Sequence, residues 1–169
     1  MKPHFTLRPA TNHDCGRVQE LIFSVLREYG LSPDPATTDA DLADIEAYYF
    51  DRDGFFGVVE DKGIIVATVG LLKRDNHCCE LRKMYALPAV RGQGLGQFLL
   101  NSAIDLARQW RCTRMTLETA SVLTDALRLY QRYGFMPYHP SEITCRCDIA
   151  MELVLDERPK NGGHLREEK

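Results

Sequence analysis

The run Arg91-Gly92-Gln93-Gly94-Leu95-Gly96 carries the residue types of an anion site. It follows an extended segment, Cys79-Glu80-Leu81-Arg82-Lys83-Met84-Tyr85-Ala86, and precedes apolar residues at helical spacing, Leu95, Phe98, Leu99, Ser102, Ala103 and Leu106. A glycine-rich turn that feeds a helix leaves several backbone N–H groups free. Those donors add to the positive end of the helix dipole and suit a phosphate or pyrophosphate. Two nucleotide loops do not fit. The dinucleotide pattern G-x-G-x-x-G takes Gly92 and Gly94, but its third place falls on Gln97. A P-loop needs Lys and then Ser or Thr after its last glycine, and neither is present. The pattern that fits is R-x-x-G-x-G, with Arg91, Gly94 and Gly96, in which Arg91 places a permanent cation beside the amides.

A second block, Leu129-Tyr130-Gln131-Arg132-Tyr133-Gly134-Phe135, reads L-Y-x-x-x-G-F. With these two segments the chain resembles the GNAT superfamily of acyl-CoA-dependent N-acyltransferases over about residues 5–155. The resemblance implies acetyl-CoA as acyl donor. It implies that Met84, Tyr85 and Ala86 offer main-chain groups to the pantetheine arm, as a strand edge pairs with an incoming strand. Arg91, Gly92, Gln93, Gly94, Leu95 and Gly96 then hold the pyrophosphate. It implies that Tyr130 also borders the cofactor and protonates the departing thiolate, since a phenol near pKa 10 can donate to a thiol group near 8.5. One position departs from the pattern: the family often carries Asn seven residues before this Tyr, and here that residue is Leu123.

Acetyl transfer also needs a base for the amine. Glu80 in the motif strand and Glu118 at the end of the next strand are the candidates. Strand alternation places Glu80, Arg82 and Met84 on one face and Leu81, Lys83 and Tyr85 on the other. Glu80 has an alternative role as an ion-pair partner of Arg82 or Lys83, and Glu118 as an acceptor of backbone N–H groups. Tyr29, Tyr48, Tyr49 and Phe50 are candidates for the acceptor wall, with His139 and Arg146 as polar contacts.

These residues require a frame. A strand is expected over residues 4–8 and a helix from Thr11 to about Tyr29, burying Val18, Leu21, Ile22, Val25 and Leu26. Asp39 or Asp41 is expected to cap a second helix containing Leu42, Ile45, Ala47 and Tyr48. Residues 55–59 and 64–72 form a hairpin turned at 60–63, and the motif strand follows. After the long helix come a strand at 115–119, a helix at 125–133 closed by Gly134, and strands at 135–138 and 146–155. The order β-α-α-β-β-β-α-β-α-β-β is that of the resembled family. The fold class expected is therefore α/β of α+β type: a mixed, mostly antiparallel sheet of about seven strands flanked by four helices and splayed between strands 4 and 5. The domain is placed at residues 1–156, with residues 157–169 a polar tail expected to be disordered.

Composition bounds the rest. A chain of 169 residues with 44% hydrophobic and 27% charged content reads as one globular domain. A net charge of −3 argues against nucleic acid as the main partner, and no stretch suits a membrane helix. The N-terminus lacks the apolar core of a signal peptide. The six cysteines lack zinc-site spacing, so reduced thiols in a cytoplasmic protein and no bound metal are expected. The expected reaction is acetylation of a small-molecule primary amine. A protein N-terminus or lysine as acceptor, and a non-catalytic acyl-CoA-binding module, remain as alternatives. Exposed strand edges allow a homodimer.

Overall fold

The computed structural model describes residues 5–155, which build one seven-stranded sheet with helices on both faces. The strands are β1 (Leu7–Pro9), β2 (Phe55–Asp61), β3 (Ile64–Lys73), β4 (Cys78–Ala86), β5 (Arg114–Thr119), β6 (Met136–Pro137) and β7 (Ile149–Val154). The helices are α1 (Cys15–Glu28), α2 (Ile45–Tyr48), α3 (Leu95–Gln109) and α4 (Thr124–Arg132). The spatial order is β1-β2-β3-β4-β5-β7-β6. All neighbours are antiparallel except β4 and β5, which run parallel. The disordered tail expected at 157–169 lies outside the described residues.

Sequence chemistry accounts for most elements. The β2–β3 hairpin closes at Lys62 and Gly63, both with positive φ, as a two-residue hairpin loop requires. The five apolar residues expected to face inward from α1 are all buried there. Asp14, in the turn that leads into α1, is a buried hub. It accepts from Thr11 N at 2.9 Å and from Arg8 at 2.8 and 2.9 Å, and pairs with Arg17 at 2.6 Å.

The second helix differs from expectation. The chain forms a 3-10 turn at Ala40–Leu42, the short α2, and another 3-10 turn at Phe50–Arg52. Asp44, rather than Asp39 or Asp41, caps α2 by accepting from Ala47 N at 3.0 Å. Asp39 and Asp41 turn inward to buried cations, and that breaks the helix.

Two cores result. One lies between the sheet and α3, around Leu95, Leu99, Leu100, Ala103 and Ala107. The other lies between the sheet and α1, with Ile45, Tyr49 and Phe56 completing it.

Candidate active site

Strand β4 carries two irregularities that make a site. The first is a bulge. Its register against β3 shifts between the Thr68↔Tyr85 and Gly70↔Arg82 pairs, so Lys83 and Met84 together face Val69. Lys83 takes a left-handed conformation, φ 51°, and Thr68 Oγ1 donates to its carbonyl at 2.7 Å. A bulge inserts one residue and reverses the alternation beyond it. Met84 therefore joins Cys79 and Leu81 in the α3 core, whereas Lys83 and Tyr85 share the α1 side with Arg82. The expected grouping of Met84 with Glu80 and Arg82 is corrected on this ground: simple alternation cannot see a bulge.

The second irregularity is the splay. β4 pairs with β5 only from Cys78↔Arg114 to Leu81↔Leu117. Beyond Leu81 the two strands diverge and leave one edge of β4 unpaired, a template for an extended ligand. A cavity of about 830 Å³ occupies the divergence, within the range of about 300–1,000 Å³ for small-molecule sites. Met84, Tyr85, Ala86, Arg91, Gly92, Leu95, Gly96 and Tyr130 all line it. Gln93 and Gly94 are not among the lining residues, and the Gln93 side chain donates to Ala89 O at 3.2 Å.

The glycine loop leaves its amides open. Gly92 and Gly94 sit at φ 75° and 85°, and Gly94 is the N-cap of α3 with no side chain capping the helix. A Cβ at Gly94 would meet no neighbouring atom, so the constraint there is backbone conformation; a Cβ at Gly96 would meet Leu129 Cδ2 at 3.2 Å. Arg91 behaves unlike a free cation. It donates to Ala86 O at 3.0 Å, to both carboxylate oxygens of Glu28 at 2.6 and 2.9 Å, and to Tyr29 Oη at 3.3 Å. The side chain thus ties the loop to the end of β4 and to α1.

This cradle fits coenzyme A on its own chemistry. Uncapped helix amides stand in line with an open strand edge, and the small Ala126 lies on the α4 wall. Leu123, at the departure from the pattern, also lines the cavity and stands as the N-cap of α4 without a side-chain hydrogen bond.

Tyr130 lies deep in this wall, its ring centroid 5.6 Å from that of Phe135. Burial first, and then the Tyr85 phenol, push its pKa well above the usual range, so the hydroxyl stays protonated. Glu118 also lines the cavity, with Oε2 accepting from Thr144 N at 3.0 Å and from Thr144 Oγ1. Glu80 is not among the lining residues; it pairs with Arg74 and, at 3.3 Å, with Arg82. Of the expected acceptor wall, Tyr29 and Arg146 line the cavity, whereas Tyr48, Tyr49, Phe50 and His139 do not.

Sequence reasoning passed over an ionic cluster at one end of the cavity. Asp39, fully buried, receives Lys83 Nζ at 2.6 Å and both terminal nitrogens of Arg146 at 2.7 and 2.8 Å. Burial alone would raise its carboxyl; the hydrogen bonds from Arg146 and Lys83 overcome that and hold it well below the carboxylate range. Asp41 lies 3.4 Å from Lys83, 3.6 Å from Arg82, and accepts from Tyr49 Oη at 2.5 Å. The Cys147 thiol sits among Glu118, Arg146 and Lys83; burial and then Glu118 raise its pKa, to about 11. One signal was available: Arg82 and Lys83 are consecutive cations in a largely apolar strand whose only carboxylate is Glu80, and such charges need buried partners.

The comparisons agree with this geometry. A family model described as the acetyltransferase (GNAT) family matches residues 20–135. The uncharacterized N-acetyltransferase YjgM of Escherichia coli (strain K12) is 37% identical over 134 residues, covering 76% of this chain and 80% of that protein. An acetyltransferase of the GNAT family from Staphylococcus aureus Mu50 superposes with TM-score 0.84 at 22% identity, over 90% of this chain and 100% of that one. The PaiA N-acetyltransferase of Thermoplasma acidophilum, solved in complex with coenzyme A, superposes with TM-score 0.70 at 15% identity, over 90% and 99%. At those identities the two structures speak for the fold alone. The family model and the E. coli relative carry the assignment: the chain belongs to the GNAT family of acetyl-CoA-dependent N-acetyltransferases.

Proposed function

We propose that this protein acetylates a primary amine of a small molecule by direct transfer from acetyl-CoA. One observation carries the reading: a single cavity is continuous from the open amides of the glycine loop, past Tyr130, to Glu118 and Arg146. Acetyl-CoA supplies the thioester; the chain holds it, receives one proton and delivers another. Met84, Tyr85 and Ala86 present the β4 edge to the extended arm, and the amides of Gly92 to Gly96 face the pyrophosphate. Glu118 Oε1, the oxygen not engaged by Thr144, takes the proton that the attacking amine loses. The Tyr130 hydroxyl gives its proton to the sulfur as the carbon–sulfur bond breaks. The base role goes to Glu118 rather than Glu80 because only Glu118 lines the cavity.

A small acceptor is favoured over a peptide by the closure at the acceptor end. Arg146, in the β6–β7 connection, bonds Asp39 with two nitrogens and Ser32 O at 3.2 Å, drawing two loops together where a peptide would need an open groove. The reading takes residues 1–156 as the catalytic domain and places the protein in the cytoplasm, in keeping with six free cysteines. No helix of the described residues is long and apolar enough to cross a membrane.

The test is release of free thiol from acetyl-CoA against a panel of amines, amino acids and peptides. Turnover on small amines is the expected result. Turnover on peptides alone would replace the reading with protein modification. Cofactor binding with no turnover on any acceptor would replace it with a binding module.

A further inference from the structure

The ionic cluster beside the cavity is arranged front to back. Arg82, Lys83 and Arg146 are on the cavity wall, whereas Asp39 and Asp41, which pair with them, are not. The cavity therefore meets the cations first, with their counter-ions behind. The pairing is incomplete. Arg74, Arg82, Lys83 and Arg146 set four positive charges against Asp39, Asp41 and Glu80. Arg82 is loosely held: its contacts to Glu80 and Asp41 are long, at 3.3 and 3.6 Å, it lies 5.9 Å from the Tyr48 ring centroid, and its buried Nε, like Asp41 Oδ1, has no hydrogen-bond partner among the described residues. An underused, largely buried guanidinium is unfavourable unless an anion reaches it. The remaining carboxylate of the site, Glu118, stands on β5, across the splay from Arg82 and Lys83 on β4.

We propose that the acceptor carries a carboxylate next to its amine, as an α-amino acid does, with the carboxylate held by Arg82 and Arg146 and the amine facing Glu118. This rests on the small-molecule reading above and narrows it. Opposite charges on the two sides of the splay match a zwitterion; the Arg82 guanidinium, which Asp39 does not occupy, matches a planar carboxylate, and Arg146 adds its charge. A protein lysine has no carboxylate beside its amine, and neither does a simple alkylamine. Asp39 is then a positioning residue. Its bidentate hold on Arg146 fixes that side chain against the cavity.

The experiment compares α-amino acids with their carboxamides and decarboxylated amines, matched in side chain, as acceptors for the full-length protein with acetyl-CoA. For the wild type, kcat/KM is expected to be at least tenfold higher for the acids. In Arg82→Gln and Arg146→Gln that preference should fall to threefold or less, chiefly through KM. The acid-to-amide ratio is internal to each variant, so a partly unfolded preparation does not alter it. A second readout is calorimetric binding of the N-acetylated acid against the N-acetylated amide, where the acid should bind the wild type more tightly and lose that advantage in Arg82→Gln. Amides accepted as well as acids by the wild type, or a preference untouched in both variants, overturns the carboxylate site and leaves the small-amine reading intact. Turnover on peptides with none on any small amine overturns both.

Discussion

At the scale of single residues, the two groups proposed to move protons have different supports: Tyr130 packs on Phe135, and Glu118 is held by Thr144. The Tyr130 phenol is pushed up by burial and stays protonated. Tyr130→Phe preserves volume and packing against Phe135, so acetyl-CoA binding measured by calorimetry should change little. Its kcat should fall by about 10²-fold, the scale of one general acid. Equal losses in kcat and cofactor affinity would show that the hydroxyl serves binding instead. Glu118→Gln keeps an oxygen for Thr144 but cannot take a proton. The variant should lose about 10²-fold in kcat; a kcat within threefold of the wild type would assign the base elsewhere. Glu80 was as legible in the sequence as Glu118. Its pairing with Arg82 was read there as its alternative role, but that with Arg74 was not, because Arg74 reaches it from the β3–β4 turn.

At the scale of elements, the glycine loop and the bulge do different work. The loop works through backbone. Gly94 at φ 85° is the αL cap that opens the α3 amides, and a side chain there faces open space. Gly94→Ala should cost about 1 kcal/mol in stability from the left-handed conformation alone, read by denaturant unfolding. Gly94→Asp places a negative charge where a pyrophosphate is proposed, and should weaken acetyl-CoA binding at least tenfold more than Gly94→Ala does. Equal affinities for the two variants would remove the pyrophosphate from this loop. The bulge works through side chains. By adding Lys83 it brings two consecutive cations to the acceptor side of the sheet and sends Met84 to the other. The loop could be read from its glycines, because glycine spacing reports backbone conformation directly. The bulge could not, because it is a mismatch between two strands rather than a property of one.

At the scale of the whole molecule, Asp39 joins three separate parts of the chain: the segment before α2, the β4 bulge and the β6–β7 connection. Its carboxyl is depressed in the folded state, so the unfolded chain binds a proton more readily than the folded one. That contribution is present above the unfolded value of about 4 and is lost as pH falls below it toward the folded value. Wild-type stability in urea should therefore decline below about pH 5, and Asp39→Asn should remove part of that decline. At pH 7 Asp39→Asn should be less stable by about 3 kcal/mol, the scale of a broken buried pair. Parallel pH curves for the two proteins would exclude Asp39 as a source of acid lability. Asp14, held down by Arg8 and then by burial-opposed backbone and Arg17 bonds, lies in a separate cluster and keeps its own share in both. The sequence by itself determined the strand and helix order, the anion loop and the Tyr130 block, because these depend on periodicity and on residues adjacent in the chain. The tertiary structure alone decided that Asp39 and Asp41 are ion-pair centres rather than helix caps, that Arg91 braces the loop against Glu28, and that Arg82 and Arg146 line the same cavity. Those outcomes depend on charges dozens of residues apart being desolvated together, and only the folded chain brings them within reach.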